Sequence, residues 1–141
     1  MKADGKTEAE VKAVLKTFAE SYAKRDLDAL MGCFAPDSDV LLYGTGADEK
    51  RLGTTEIEIQ AKRDWEQTET ASMVLQSMSV SAAGPVAWVA ADGTFDLRAE
   101  GKDMHIAVRI TFVLEKRGSA WLIVHAHFST PAASQAGGHS F

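Results

Sequence analysis

The sequence is poor in residues that cross-link or interrupt a chain, with one cysteine, Cys33, and three prolines among 141 residues. A single thiol cannot form an intrachain disulfide, which excludes the bridged scaffolds typical of small secreted proteins and favours a reducing compartment. No apolar run approaches the roughly 20 residues that a membrane-spanning helix needs. The start of the chain, Met1–Lys6, is polar and unlike a signal peptide. We therefore expect a cytoplasmic protein without a membrane anchor.

Positive charge is also in short supply, since 15 Lys and Arg stand against 20 Asp and Glu, a net charge of −5. This balance repels phosphate backbones and anionic lipids, so neither nucleic acid nor a membrane is an expected partner. Hydrophobic residues make up 45% of the chain and charged residues 25%, as in ordinary globular proteins. The length fits one domain, predicted over residues 1–131, and the small, polar residues 132–141 are expected to form a flexible tail.

The first half of the chain shows helical periodicity. Apolar residues recur at helical spacing from Thr7 to Arg25, and Thr7 with Glu10 forms a candidate capping box. Asp26 is placed to cap a short second helix, which must end before Pro36. A buried strand is predicted next, at residues 39–43, followed by a polar loop at residues 44–53. A third helix is predicted to begin at residue 54 or 55 and to bury Ile57, Ala61 and Trp65.

The second half has the period of two that is typical of strands. Four strands are predicted at about residues 72–81, 86–97, 103–115 and 120–130, and turn signals such as Gly84-Pro85 separate them. Short hairpins between neighbouring strands indicate an antiparallel meander. The order of helix, helix, strand, helix and four strands predicts an α+β fold.

The alternation in the last three strands separates two faces. One face is apolar and is expected to pack on the helices; it comprises Val89, Ala91, Phe95, Leu97, Met104, Ile106, Val108, Ile110, Phe112, Leu114, Leu122, Val124, Ala126 and Phe128. The opposite face carries Trp88, Asp92, Thr94, Asp96, His105, Arg109, Thr111, Trp121, Ile123, His125, His127 and Ser129. Because a solvent-facing sheet rarely carries tryptophans beside a His and Arg cluster, we expect a second subunit to cover it. The predicted homodimer interface comprises Trp88, Arg109, Trp121, His125 and His127.

Two segments carry a family resemblance: Arg25–Leu30, which reads RDLDAL, and the ending Trp121–Pro131, which reads WLIVHAHFSTP. With the order of elements, they resemble the SnoaL-like branch of the nuclear transport factor 2-like superfamily. The chain is also similar to ketosteroid isomerase-related proteins and to the calcium/calmodulin-dependent kinase association domain. The resemblance implies a cystatin-like cone, in which a curved antiparallel sheet wraps three N-terminal helices around a pocket, and dimerisation through the outer sheet face.

The steroid isomerases of this superfamily use a carboxylate base and two oxyanion donors, a phenol and a protonated carboxyl. At the matching positions this chain has Leu42, Phe18 and Ile110, none of which can move a proton. The resemblance therefore does not extend to that mechanism, unless a shift of one residue brings Tyr43 or Arg109 into the pocket.

The strongest polar constellation comprises Asp92, Arg109, His125 and His127, which neighbouring strands could bring together on one face. In a pocket, Asp92, Arg109 and His127 would be candidate acid-base and substrate-binding groups. At a dimer interface, the same residues would form a hydrogen-bonded network, and the alternation favours this interpretation. The two histidines are spaced for zinc, but without a third convincing ligand we predict no metal and no cofactor.

The resemblance places Tyr22, Leu42, Tyr43 and Trp65 at the pocket, where they are the predicted ligand-binding residues. The leading hypothesis is a homodimeric protein that binds a small apolar or acidic organic molecule. One alternative is an oligomerisation or adaptor domain without catalysis. Another is a lyase or isomerase that uses His, Asp and Arg as acid-base groups.

Overall fold

Three helices and six strands make up the computed structural model, which describes residues 1–141. The elements are α1 (Gly5–Lys24), α2 (Leu27–Met31), β1 (Leu41–Tyr43), β2 (Lys50–Leu52), α3 (Gly53–Glu66), β3 (Thr70–Ala83), β4 (Val86–Ala99), β5 (Lys102–Arg117) and β6 (Ala120–Ser129). The predicted α+β fold is confirmed, with a curved, open sheet against the N-terminal helices. No helix of the protein has both the length and the apolar character to cross a membrane.

The six strands form one sheet in the order β2-β1-β6-β5-β4-β3. The last four strands pair as the predicted antiparallel meander. The short β1 runs parallel to β6, with Leu42 opposite Ala126, and so places the middle of the chain beside its end. The edge strand β2 lies in a segment predicted as loop, because three residues with two charges among them carry no strand pattern.

The helix ends show which capping signals the chain uses. The carboxylate of Asp4 accepts a hydrogen bond of 2.7 Å from the Thr7 amide, so α1 begins at Gly5. The predicted capping box at Thr7 is therefore wrong, since an equally good capping residue stands three positions earlier. The predicted cap of α2 is confirmed, because Asp26 accepts a bond of 3.1 Å from the Ala29 amide.

A β-bulge in β6 changes which side chains face the helices. Val113 lies opposite His125, but Leu114 lies opposite Ile123, so Val124 is an extra residue that reverses the alternation. The predicted outward positions of Trp121 and Ile123 are therefore wrong. Trp121 is only 5% exposed, and its Nε1 donates a bond of 2.9 Å to Glu10 on α1. The run from 121 to 124 is apolar throughout, so its sequence carries no signal for the bulge.

The core fills the space between the helices and the inner face of the sheet. Phe18 of α1 packs edge-on against Phe112 of β5, with ring centres 5.6 Å apart, and Phe112 against Phe128 of β6 at 5.9 Å. At the far end of the sheet, Met104 and Ile106 were predicted to be covered by the helices. They are 41% and 36% exposed, because the long β4–β5 hairpin extends past the helices and leaves that end open.

Candidate functional site

A cavity of about 220 Å³ lies between the helices and the sheet, toward this open end. Most of its wall is apolar and aromatic. Its lining comprises Phe18, Tyr22, Leu30, Phe34, Leu42, Gly44, Thr45, Glu49, Ile57, Gln60, Ala61, Asp64, Gln67, Thr68, Phe95, Leu97, Ile106 and Phe128. An apolar pocket with a few converging polar groups is the usual form of a small-molecule site.

The polar end of the cavity is built on α3. Gln60 and Asp64 lie one turn apart on the face of the helix that points to the cavity. Oδ2 of Asp64 accepts a hydrogen bond of 2.8 Å from the Tyr22 phenol, and Oδ1 accepts one of 2.7 Å from Nε2 of Gln60. The same Gln60 nitrogen donates to Oε1 of Glu49 at 3.0 Å. Two carboxylates, one amide and one phenol thus form a continuous network, which we call the polar network.

The orientation of Gln60 is fixed from outside the cavity. Nε of Arg51 on β2 donates a bond of 2.8 Å to Oε1 of Gln60. Because Oε1 accepts from a guanidinium, which has no acceptor, the amide nitrogen must face the two carboxylates. Strand β2, which the sequence did not predict, therefore determines that the NH₂ group of Gln60 faces the two carboxylates.

Glu49 is positioned by the loop between β1 and β2. Its Oε2 accepts a hydrogen bond of 2.7 Å from the Gly46 amide, and its Oε1 accepts one of 3.1 Å from Arg63. A Cβ at Gly44 would overlap the Glu49 side chain, so the carboxylate can occupy this position only because the loop has glycine there.

Burial changes the acid-base character of the Tyr22–Asp64 pair. Loss of solvent raises the pKa of Asp64, and the hydrogen bonds from Tyr22 and Gln60 oppose that rise. The pKa of Tyr22 is raised by burial and by the neighbouring Asp64 charge, so the phenol keeps its proton. Asp64 is therefore a carboxyl group in the cavity that can accept or share a proton.

Arg25 holds the end of α3 in place. This residue ends α1 in the left-handed conformation, with φ of 58°. Its guanidinium donates to the carbonyl oxygens of Trp65 and Thr68, the latter at 2.8 Å. Nε1 of Trp65 in turn donates a bond of 3.0 Å to the Tyr22 carbonyl. These contacts fix α3 against α1, and with it the position of Asp64.

The predicted pocket residues divide into two groups. Tyr22 and Leu42 line the cavity. Phe18 lines it as well, so Leu42 and Phe18, which occupy two of the three positions matched to the steroid isomerases, both reach the cavity. Trp65 is buried behind the wall, where its indole bonds to the backbone. Tyr43 lies away from the cavity, with its ring 5.1 Å from that of His127.

The cluster of Asp92, Arg109 and His127 lies on the outer face of the sheet, away from the cavity. Asp92 and Arg109 are partners in the β4–β5 register but form no ion pair, and Asp92 instead accepts a bond of 3.1 Å from Ser77. Nδ1 of His125 bonds to the Leu41 carbonyl at 2.8 Å, so this nitrogen carries the proton. Trp88 is half-buried on the same face.

The polar network contains three residues that the sequence did not identify: Glu49, Gln60 and Asp64. A signal existed for two of them, because Gln60 and Asp64 share a helical face with Ile57 and Ala61. A polar side chain within an apolar stripe indicates a buried polar site. Glu49 carried no such signal, since it lies in a loop rich in charge.

Comparison with known proteins gives the family and the fold. A family model described as a SnoaL-like domain matches residues 11–133. A candidate calcium/calmodulin dependent protein kinase II association domain from Xanthomonas campestris is 28% identical, with 88% of this chain and 87% of that chain covered and a TM-score of 0.77. A nuclear transport factor 2-like superfamily protein from Salmonella enterica serovar Typhimurium is 20% identical, with 97% and 99% covered and a TM-score of 0.85. The comparison with curated proteins finds no match.

Proposed function

Since this chain belongs to the SnoaL-like family, we propose that it binds a small, largely apolar molecule in the cavity, with one polar group of the ligand at the polar network. The volume of about 220 Å³ suits a ligand smaller than a typical drug molecule. Five aromatic rings supply the apolar wall; they belong to Phe18, Tyr22, Phe34, Phe95 and Phe128.

The observation that carries this proposal is the polar network itself. Burying a carboxylate beside aromatic rings costs free energy, and packing alone would favour apolar side chains at Glu49, Gln60 and Asp64. A network that is satisfied internally and still faces an open cavity is suited to a ligand that arrives with its own polar group. No reaction is assigned to Asp92, Arg109 or His127, because these residues lie on the other side of the sheet.

A neutral probe tests the proposal. We expect 3-phenylpropan-1-ol to bind the wild type in an isothermal titration. Ala61→Phe should abolish binding, because Ala61 lines the cavity and a ring there would fill it. The matched control is Lys62→Phe, which places the same ring on the exposed side of α3. Binding that survives Ala61→Phe in a protein that still folds would contradict the proposal.

Self-association through the outer sheet face is a second candidate function. It is supported by Arg109, whose guanidinium makes no hydrogen bond or ion pair within the chain although Asp92 stands opposite. A two-fold axis through this face would let Arg109 of one copy meet Asp92 of the other. The relative from Xanthomonas campestris is itself described as a candidate association domain.

A reducing cytoplasm is the compartment we propose, since it suits the single buried thiol, Cys33.

The oligomeric state tests this second function. We expect the wild type to sediment as a dimer at micromolar concentration and Arg109→Glu to shift it toward monomer. The matched control is Lys102→Glu, at the exposed hairpin end of the same strand. A wild type that is monomeric throughout would contradict self-association without affecting the ligand site.

A further inference from the structure

The charged side chains that line the cavity all carry charge of one sign. Among the residues that line the cavity there are two carboxylates, Glu49 and Asp64, and no Lys, Arg or His. We propose that the ligand is an organic cation, a protonated amine on a small aromatic or aliphatic body. This inference rests on the proposed function, since it assigns a charge to the ligand of the same cavity.

The hydrogen bonds within the polar network leave only acceptors for a ligand. Both protons of the Gln60 amide are directed at carboxylates, one at Glu49 and one at Asp64. The single proton of the Tyr22 phenol is also directed at Asp64. The Thr68 hydroxyl is used as well, because it donates to the backbone carbonyl of Asp64 at 2.8 Å. The remaining capacity of the polar network itself consists of carboxylate and phenol lone pairs, which a ligand can use only by donating protons.

The two carboxylates differ in how their charge is balanced. Glu49 pairs with Arg63, whose guanidinium also binds the exposed Asp48 at 2.7 Å. Asp64 forms no ion pair and is held by two neutral donors, Tyr22 and Gln60. A half-buried carboxylate without a counter-ion is costly, and an ammonium group in the cavity would supply the missing positive charge. Burial raises the pKa of Asp64, as expected for a carboxylate that is removed from solvent without an ion-pair partner.

The aromatic wall also favours a cation. Rings attract positive charge to their faces and accept the apolar body of an amine at the same time. A carboxylate or phosphate ligand would meet two carboxylates and no Lys, Arg or His side chain in the cavity lining. An acidic ligand was one prediction from the sequence, because Arg109 was a candidate substrate-binding group. Arg109 lies instead on the outer face of the sheet, away from the cavity.

Three probes of matched shape test the inference at pH 7: 3-phenylpropylamine, 3-phenylpropan-1-ol and 3-phenylpropanoic acid. We expect the amine to bind at least about tenfold more tightly than the alcohol, and the acid to show no binding in the same titration. If the alcohol binds and the amine binds no more tightly, the cation inference is wrong and the ligand site stands. If none of the three binds, both the site and the inference are contradicted.

Variants locate the charge that is responsible. Asp64→Asn keeps the shape of the side chain, and we expect it to remove the preference for the amine, measured as the ratio of amine to alcohol affinity in the same variant. The matched control is Asp39→Asn, an exposed carboxylate outside the network, which should keep the preference. If Asp64→Asn does not fold, Glu49→Gln is the second variant to measure, and it should weaken the preference for the amine. An amine affinity unchanged in a folded Asp64 or Glu49 variant would overturn the inference.

Discussion

The phenol of Tyr22 on α1 donates a hydrogen bond of 2.8 Å to the carboxylate of Asp64 on α3, joining two helices at the polar end of the cavity. The bond gives each residue a second role. It holds α3 to α1, and it stabilises a carboxylate that burial would otherwise push toward its protonated form.

Tyr22→Phe tests that relationship by removing one hydroxyl and leaving the ring. We expect the pKa of Asp64 to rise further, because the carboxylate loses a donor while its burial stays similar. We also expect a loss of about 1.5 to 3 kcal/mol in the free energy of unfolding, the usual range for a hydrogen bond to a charged group. Carboxyl-carbon NMR and urea unfolding measure the two effects. An unchanged pKa would show that the bond is absent in solution.

Stability should depend on pH with opposite sign for two carboxyl groups. The folded-state pKa of Asp64 is raised by burial, so its contribution to stability is present in acid and is lost as pH rises through that pKa. The pKa of Asp37 is lowered by its hydrogen bonds to Arg117, so its contribution is present at neutral pH and is lost in acid. Asp64→Asn should therefore cost less stability at pH 7 than at about pH 3, and Asp37→Asn should cost more. Slopes of the same sign would contradict the two environments.

Arg25→Gly should destabilise the fold even though glycine prefers the left-handed conformation that Arg25 adopts. The guanidinium bonds to the end of α3 are lost, and we expect a cost of about 2 kcal/mol in urea unfolding. The matched control is Glu100→Gly, another residue with positive φ, 51°, which forms no such bonds and should be neutral or slightly stabilising. Equal effects of the two variants would show that Arg25 does not anchor α3.

Gly93→Ala should disturb the sheet where β4 passes the bulge in β3. An added Cβ would lie 2.7 Å from the Val74 carbonyl oxygen, beside the bulge at Leu75 and Ser77, so the backbone would have to move. We expect a loss of about 1 to 3 kcal/mol in the free energy of unfolding. Gly5→Ala is the matched control, because its added Cβ meets open space at the start of α1. A Gly93 variant as stable as the control would show that the backbone at this position accommodates a Cβ without strain.

Much of the fold could be predicted from the sequence because its patterns are local. The alternation in β4 and β5 and the helical stripe of α1 identified the elements, and the segment Trp121–Pro131 indicated the family. The side of the sheet on which Trp121 lies could not be predicted. The bulge at Val124 reverses the inward and outward positions of the residues that precede it in β6.

The site was predictable only in part. Tyr22 and Leu42 followed from the family resemblance, and both line the cavity. Asp64 and Gln60 could not be assigned to the cavity from the sequence, because they project from a helix and polar residues on a helix usually face solvent. Glu49 reaches the network through a loop conformation that depends on Gly44 and Gly46, and no periodicity describes such a loop.

A crystal structure of the protein soaked with 3-phenylpropylamine tests the central claim most directly. We expect density for the phenyl ring against the aromatic wall of the cavity, which includes Phe18 and Phe128, with the ammonium nitrogen about 2.7 to 3.2 Å from the carboxylate of Asp64. A cavity without the amine at saturating concentration, or an amine whose nitrogen points away from both Asp64 and Glu49, would contradict the account.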